Sequence, residues 1–155
     1  MGNADINQVF NFKTQLSVGN TGEKEFLIRY PSFKQADGIK YDFITPEEQT
    51  IELKTDTYSM EKTENFFMEF HSNVNSQTLG GPWRAARDKV DFFVYYFIRD
   101  KVYFWFDTTK LLIRLEALVK AKIVNGRNIP NDSHTTFGYV VPRRLLLPVQ
   151  LKQEK

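Results

Sequence analysis

The chain has 155 residues, of which 41% are hydrophobic and 15% aromatic. This is enough to bury one core, so we expect a single domain over residues 1–155. The absence of cysteine excludes disulfides, thiolate nucleophiles and cysteine-ligated metal sites, whereas a net charge of +2 leaves a polyanionic partner open.

No apolar run approaches the roughly 18 to 20 residues that a membrane span requires. The first five residues also lack the basic start and apolar segment of a signal peptide. We therefore expect a soluble, cytoplasmic protein that makes no membrane contact.

A helix is predicted near the N-terminus. Residues 6–16 show only a diluted helical spacing of apolar side chains. A clearer helix is predicted from Asn20 or Thr21, both good capping residues, through about Tyr30, with Pro31 as its stop. Glu23 then lies in the first turn, where an acidic side chain also compensates the helix dipole.

Strands follow the helix. Two alternating runs, 38–44 and 50–55, flank a segment with proline and polar turn residues, which predicts a β-hairpin. A third strand is predicted over 65–71, and a second hairpin joins strands 91–98 and 101–106. We assign the aromatic side chains of this second hairpin to the core, keeping Tyr95 and Tyr103 as candidates for exposed contacts.

The C-terminal third begins with a second predicted helix. Asp107 and the two threonines after it cap a helix that runs to about Ile123 and ends at Asn125-Gly126. A last strand over 136–141, a short helix or turn over 142–147, and a solvated tail over 150–155 complete the chain. The predicted fold class is α/β, with a mixed β-sheet flanked by helices in the order α-β-β-β-β-β-α-β.

The first predicted hairpin contains the candidate catalytic residues. If it turns near Glu47, residues whose numbers sum to about ninety-four face each other, so Asp42 faces Glu52 and Lys40 faces Lys54. Opposed carboxylates destabilise a hairpin unless something offsets the repulsion, and a hard cation such as Mg²⁺ or Mn²⁺ does so. The other face is predicted to be a core side made by Tyr41, Phe43, Ile51 and Leu53.

One predicted strand carries an aspartate, in Tyr41-Asp42-Phe43, and the next carries Glu-x-Lys, in Ile51-Glu52-Leu53-Lys54. This arrangement resembles the motif of the PD-(D/E)xK nuclease superfamily. Tyr41 stands where the proline of that motif would be. The resemblance implies a restriction-endonuclease-like core and Mg²⁺-dependent DNA endonuclease activity. It makes Asp42 and Glu52 metal ligands and Lys54 the catalytic lysine.

A second segment, Gly19-Asn-Thr-Gly-Glu23-Lys-Glu25-Phe26, resembles the helix-borne glutamate segment of archaeal-type Holliday-junction resolvases. This resemblance implies that Glu23 adds a third acid to the metal site. Glu25 competes for the role, but it lies about 200 degrees round the helix from Glu23, so one of the two must point elsewhere. Resolvases and small restriction-type enzymes usually act as symmetric dimers, so we expect a homodimer.

Leu79 to Lys89 combines a glycine pair with an aromatic side chain and three cations, which suits phosphate contacts and base stacking. These nucleic-acid-binding candidates are Trp83, Arg84, Arg87 and Lys89. An alternative stays open, in which Trp83 anchors an ordinary loop to the core while the cations are solvated.

Two wider alternatives also stay open. The charged face of the hairpin is also typical of a salt-bridged solvent surface. The whole chain also fits a non-catalytic nucleic-acid-binding or interaction module that retains the nuclease fold. His71 and His134 lie in no nucleophile-elbow context, which argues against a Ser-His-Asp hydrolase.

Overall fold

The computed structural model describes residues 11–155, with side chains from residue 17 onward. Its helices and strands, in chain order, are α1 (Asn11–Arg29), β1 (Lys34–Gln35), β2 (Phe43–Ile44), β3 (Thr50–Asp56), β4 (Asn65–Asn73), β5 (Thr78–Leu79), α2 (Gly81–Arg87), β6 (Phe92–Phe97), β7 (Val102–Asp107), α3 (Thr108–Lys120), β8 (Asn125–Pro130), β9 (Thr135–Pro142), a 3-10 helix (Arg143–Val149) and β10 (Gln150–Glu154).

The strands form two sheets. The first has the order β1-β2-β3-β6-β7-β10, in which β3 and β6 run parallel and the other neighbours antiparallel. The second is antiparallel, in the order β5-β4-β9-β8. The predicted α/β class with a mixed sheet flanked by helices is therefore confirmed. The third predicted strand, β4, belongs to the second sheet. The described residues also form more helices and strands than the predicted order contains.

Both faces of the six-stranded sheet are buried. One face packs against α1 through Phe26 and Tyr30. The other face packs against the second sheet, α2 and α3, with Phe66 and Leu115 among the buried residues. The aromatic side chains of β6 and β7 lie in these two cores, as predicted. Tyr95 and Tyr103, kept as candidates for exposed contacts, are 0% and 2% exposed, so both belong to the core instead.

Helix α1 begins well before the predicted start at Asn20 or Thr21 and ends at Arg29, just before Pro31, as predicted. Glu23 therefore lies in the helix interior and not in its first turn. The apolar positions from residue 6 to residue 10 lie outside the described residues.

The register of the first hairpin is confirmed where its strands pair. Phe43 faces Ile51 and Ile44 faces Thr50, so the residue numbers sum to ninety-four. The first strand is shorter than the predicted 38–44, because the backbone leaves the ladder at Asp42. Tyr41 consequently packs in the core between the two sheets, not on the α1 side with Phe43.

The segment predicted as a flexible glycine loop is helix α2. A β-carbon on Gly80 would lie 2.1 Å from Oε2 of Glu69, and one on Gly81 would lie 2.4 Å from the Glu69 carbonyl oxygen. Gly81 also has φ +49, in the left-handed region that favours glycine. The glycine pair thus allows α2 to pack closely on β4.

Two predictions at the C-terminal end are wrong. Asn125-Gly126 begins strand β8 instead of ending α3, which stops at Lys120. Residues 150–154, expected to be a solvated tail, form β10 and pair with β7. The cap of α3 is confirmed, because the Asp107 carboxylate accepts the N–H of Lys110 at 3.0 Å. Within residues 11–155, no helix is long and apolar enough to cross a membrane.

Candidate active site

Asp42 is held where strand β2 starts. Its backbone N–H donates to the carbonyl of Ile51, and its Oδ2 accepts the backbone N–H of Leu53, both at 2.8 Å. Its own carbonyl accepts the N–H of Ala36 at 2.8 Å. The side chain, rather than a backbone carbonyl, therefore satisfies a donor of β3, which fixes the carboxylate against that strand.

Glu52 lies on β3, and its carboxyl group lies beside that of Asp42. Burial, followed by the charge of Asp42, raises the pKa of Glu52 to about 9. Burial also raises the pKa of Asp42, but the Leu53 N–H, the Glu52 hydrogen bond and the charge of Arg84 oppose it. Burial and mutual repulsion therefore favour protonation of this pair.

Glu23 approaches this pair from α1. Burial, then the charge of Asp42, raises the pKa of Glu23, while a hydrogen bond from the side chain of Gln35 opposes the shift. The neighbouring Gly22 permits the approach, because a β-carbon there would lie 2.1 Å from Oγ1 of Thr55 on β3. Close contact between α1 and β3 thus places Glu23 beside the pair.

Glu25 points elsewhere. It accepts hydrogen bonds from the Tyr96 hydroxyl and from Nζ of Lys101, the latter at 2.7 Å. Burial raises the pKa of Glu25, but these hydrogen bonds outweigh burial and lower it. The prediction that Glu23 and Glu25 diverge round the helix is confirmed, and Glu23 is the one near Asp42.

Lys54 follows Glu52 by two residues and shares its side of β3. The parallel partners of Glu52 and Lys54 on β6 are Phe93 and Tyr95, both of which lie in the core between the sheets. Lys54 is half-buried at the margin of that core. Lys40, predicted to face it, instead lies in the exposed loop before Asp42.

Arg84 of α2 supplies positive charge to the carboxyl pair. Its guanidinium lowers the pKa of both Asp42 and Glu52. It also donates through Nη2 to the carbonyl of Ile39 and lies 3.7 Å from Oδ2 of Asp88. Arg84 is therefore anchored beside the carboxylates and does not lie on a separate phosphate-binding loop.

The other three predicted nucleic-acid contacts lie on or just after α2 but differ in exposure. Trp83 is 8% exposed and donates from Nε1 to Glu116 at 3.2 Å. It packs in the core, so its position matches the anchoring alternative and not base stacking. Arg87 has a side chain that is 55% exposed, and Lys89 is also exposed.

The donors at the site are all carboxylate oxygens, the ligand type that Mg²⁺ and Mn²⁺ prefer. Among the described residues, no three His, Asp or Glu side chains already form a group that could hold a metal ion. Burial raises the pKa of both Asp42 and Glu52, which favours their protonated forms. A divalent cation that binds there must displace any proton they hold, because ligating carboxylates are deprotonated.

No model of a known protein family matches this chain, and no curated protein matches it.

Two contributors to the site escaped the sequence patterns. Gln35 reaches Glu23 from β1, a strand of only two residues with no alternation to predict it. The sequence predicts that Arg84 contacts phosphate, and no local sequence pattern indicates that it lies near Asp42 and Glu52. The packing of α2 on β4 determines that proximity, and it depends on contacts distant in sequence.

Proposed function

We propose that the protein is a metal-dependent nucleic-acid phosphodiesterase. One observation carries the proposal: the Asp42 carboxylate accepts the N–H of Leu53, next to Glu52 on β3, so two partly buried acids lie together, and burial raises the pKa of both. Two neighbouring carboxylates repel each other and destabilise the folded protein, and a divalent cation bound between them would offset that repulsion.

The residues present fit a metal site in their chemistry. Asp42 and Glu52 would hold Mg²⁺ or Mn²⁺, with Glu23 as a third acid. The bound metal would supply a nucleophile from water at neutral pH and neutralise charge on the phosphate.

Cationic side chains of the protein would hold the attacking water and bind the phosphates. Lys54, on the same side of β3 as Glu52, would hold the attacking water or balance charge that develops on the phosphate. Arg84, already beside both carboxyl groups, would bind a phosphate oxygen, because a guanidinium suits that geometry. Arg87 and Lys89, both exposed, would contact flanking phosphates and set binding without taking part in bond cleavage.

The resemblance to PD-(D/E)xK nucleases favours DNA as substrate and a restriction-endonuclease-like core in one nuclease-like domain. It also favours a homodimer of resolvase or restriction type. These finer assignments rest on the motif residues Asp42, Glu52 and Lys54 and on the helix-borne Glu23.

A non-catalytic nucleic-acid-binding module is the second candidate. The observation that favours it is Arg84, whose guanidinium compensates the carboxyl pair without any metal. Such a module would use Arg84, Arg87 and Lys89 to bind nucleic acid and would leave the phosphodiester bonds intact.

Cleavage assays with and without a chelator separate the two functions. Linear, nicked, branched and single-stranded DNA, together with RNA, are incubated with Mg²⁺ or Mn²⁺. We expect metal-dependent cutting that is lost in Lys54→Ala and kept in Lys110→Ala, which removes an exposed lysine of α3. A pure, folded protein that binds these substrates and cuts none would establish the module instead.

A further inference from the structure

Lys54 lies between two acids on one side of β3. Glu52 precedes it by two residues and Asp56 follows it by two, so the three side chains share the side that faces the second sheet. Cα atoms two residues apart on a strand are separated by about 6.6 Å, a distance that a lysine side chain spans. An ion pair between Lys54 and Asp56 is therefore within reach.

This ion pair is nevertheless not formed. Among the residues whose side chains are described, Lys54 and Asp56 take part in no salt bridge. Both side chains are half-buried, so water screens their attraction less than it would on an open surface. Another interaction must therefore hold the Asp56 carboxylate.

The Asp56 carboxylate accepts hydrogen bonds from two other donors, one on each oxygen. Oδ1 accepts the backbone N–H of Tyr58 at 2.8 Å, which closes a turn at the end of β3. Oδ2 accepts the hydroxyl of Tyr95, which reaches across from the neighbouring strand β6. These two contacts fix the direction of the carboxylate.

Tyr95 is itself held firmly. Its side chain is fully buried, and its ring packs edge-on against Phe66 with the centroids 4.8 Å apart. Its hydroxyl oxygen accepts the backbone N–H of Phe67 at 3.1 Å, so its single proton is directed to Asp56. Burial, then the charge and hydrogen bond of Asp56, raise the pKa of Tyr95 well above its ordinary value, which keeps the hydroxyl a donor.

We propose that Tyr95 is a positioning residue whose hydroxyl holds the Asp56 carboxylate away from Lys54, so that the ammonium group stays free for the attacking water or the phosphate. This inference rests on the proposed function. A phenylalanine ring would fill the same space in the core, so packing alone does not require the hydroxyl. The parallel register supports the assignment, since Tyr95 is the direct partner of Lys54 on β6.

Tyr95→Phe removes the hydroxyl and keeps the ring. Asp56 is then released to pair with Lys54, so kcat for cleavage in Mg²⁺ should fall by about fivefold or more while KM changes little. Tyr96→Phe is the matched control, because it removes a hydroxyl that donates to Glu25 on the opposite side of β6. This control should keep the wild-type kcat.

The double variant Tyr95→Phe/Asp56→Asn separates positioning from support of the fold. It removes the competing charge and should restore most of the lost kcat. It should not restore the melting temperature, because the Phe67 N–H still lacks its acceptor. A kcat that stays low in the double variant, or that follows the melting temperature through the series, would overturn the proposal.

Asp56→Glu tests the same competition without altering the buried tyrosine. Its carboxylate lies one methylene further from the backbone, so it should lose the Tyr58 and Tyr95 hydrogen bonds and reach Lys54. Asp56→Gln has the same length without the charge and should keep a higher kcat than Asp56→Glu. Equal kcat values for these two variants would contradict competition for Lys54.

Labelling of Lys54 provides a readout that does not depend on cleavage. The wild type, Tyr95→Phe and the double variant are acetylated with an amine-reactive ester in chelator, without nucleic acid. Modification of Lys54 is measured by peptide mass spectrometry relative to the exposed Lys110. Tyr95→Phe should slow acetylation of Lys54, and the double variant should return it to the wild-type rate.

Equal acetylation of Lys54 in all three proteins would overturn the restraint by Tyr95, whether or not the protein cuts nucleic acid. The expected labelling pattern in a wild type that cuts no substrate in Mg²⁺ would overturn the proposed nuclease and leave the contact between Tyr95 and Asp56 as the restraint on Lys54.

Discussion

The backbone N–H of Leu53 donates to Oδ2 of Asp42 at 2.8 Å, so the carboxylate replaces a backbone acceptor at the point where β2 leaves its ladder with β3. This contact holds Asp42 against the strand that carries Glu52. The two carboxyl groups are therefore brought together by the fold, whether or not a cation binds. Their repulsion can be measured directly in the metal-free protein.

Asp42→Asn should unfold at a higher temperature than the wild type in chelator above pH 9, where both carboxyl groups of the folded wild type are ionised. It removes one carboxylate yet keeps an oxygen that can accept the Leu53 N–H, so the gain should be roughly 0.5 to 1 kcal/mol. Asp42→Ala loses that acceptor as well and should be about 1 kcal/mol less stable than Asp42→Asn. Thermal melts of the three proteins test both statements. A wild type more stable than Asp42→Asn would mean that Arg84 already compensates the pair.

The stability of the metal-free protein should fall as pH rises from about 5 to about 9. Glu52 ionises near its ordinary value of 4.5 in the unfolded chain and near 9 when folded. Between those values the folded state binds more protons, so each pH unit lowers the free energy of unfolding by at most about 1.4 kcal/mol.

Urea unfolding of the wild type and Glu52→Gln across that range tests the pH dependence. The substitution removes the titrating group, so its curve should be flatter. Glu47→Gln, in the exposed turn of the same hairpin, serves as the control and should follow the wild type. Parallel curves for the wild type and Glu52→Gln would show that Glu52 is ionised at neutral pH.

Replacing Arg84 should lower the free energy of unfolding more than replacing Arg87. Arg84→Ala removes a cation beside Asp42 and Glu52 and a charged donor to Ile39, so it should cost about 1 to 3 kcal/mol. Arg87→Ala, at an exposed position, should change stability by less than about 0.5 kcal/mol.

Salt dependence separates binding from stability for the same two arginines. Each lost phosphate contact should lower the slope of log affinity against log salt by roughly 0.7 to 0.9. Filter binding of DNA across a salt series measures this slope. An unchanged slope in both variants would mean that α2 makes no phosphate contacts through these arginines.

Gly22→Ala should destabilise the protein even though alanine is the better helix former. Its β-carbon would lie 2.1 Å from Oγ1 of Thr55, and such overpacking typically costs about 1 to 3 kcal/mol. Thr55→Ala removes the closest atom and should restore part of that loss in the double variant. Urea unfolding of the two single variants and the double variant gives the coupling. Additive effects would mean that α1 and β3 are not in close contact at this point.

The hairpin register was predictable because alternation leaves little freedom. Shifting the pairing of Phe43 and Ile51 by one residue would turn every buried side chain to the other face, so the apolar pattern specifies the pairing. The same pattern placed Asp42 and Glu52 together. It overestimated the length of β2, because the side-chain contact from Asp42 to Leu53 replaces regular pairing.

Other elements had weak local signals. Strand β10 has the polar sequence Gln-Leu-Lys-Gln-Glu, typical of a tail, and it forms because the edge of β7 supplies backbone partners. Helix α2 was hidden by its glycine pair, whose role is close packing against Glu69. The second sheet depends on pairing between β4 and β9, which lie far apart in sequence, and no local pattern specifies that pairing.

The most direct test of the metal site compares cleavage and binding of one DNA substrate by the wild type and Glu52→Gln, in the same Mg²⁺ buffer. Glu52 would hold the metal, whereas Arg84 and Arg87 would hold phosphates. The substitution should therefore nearly abolish cleavage while affinity stays within a few-fold. Glu47→Gln should cut like the wild type. Cleavage by Glu52→Gln at the wild-type rate, with folding intact, would contradict a metal site at Asp42 and Glu52.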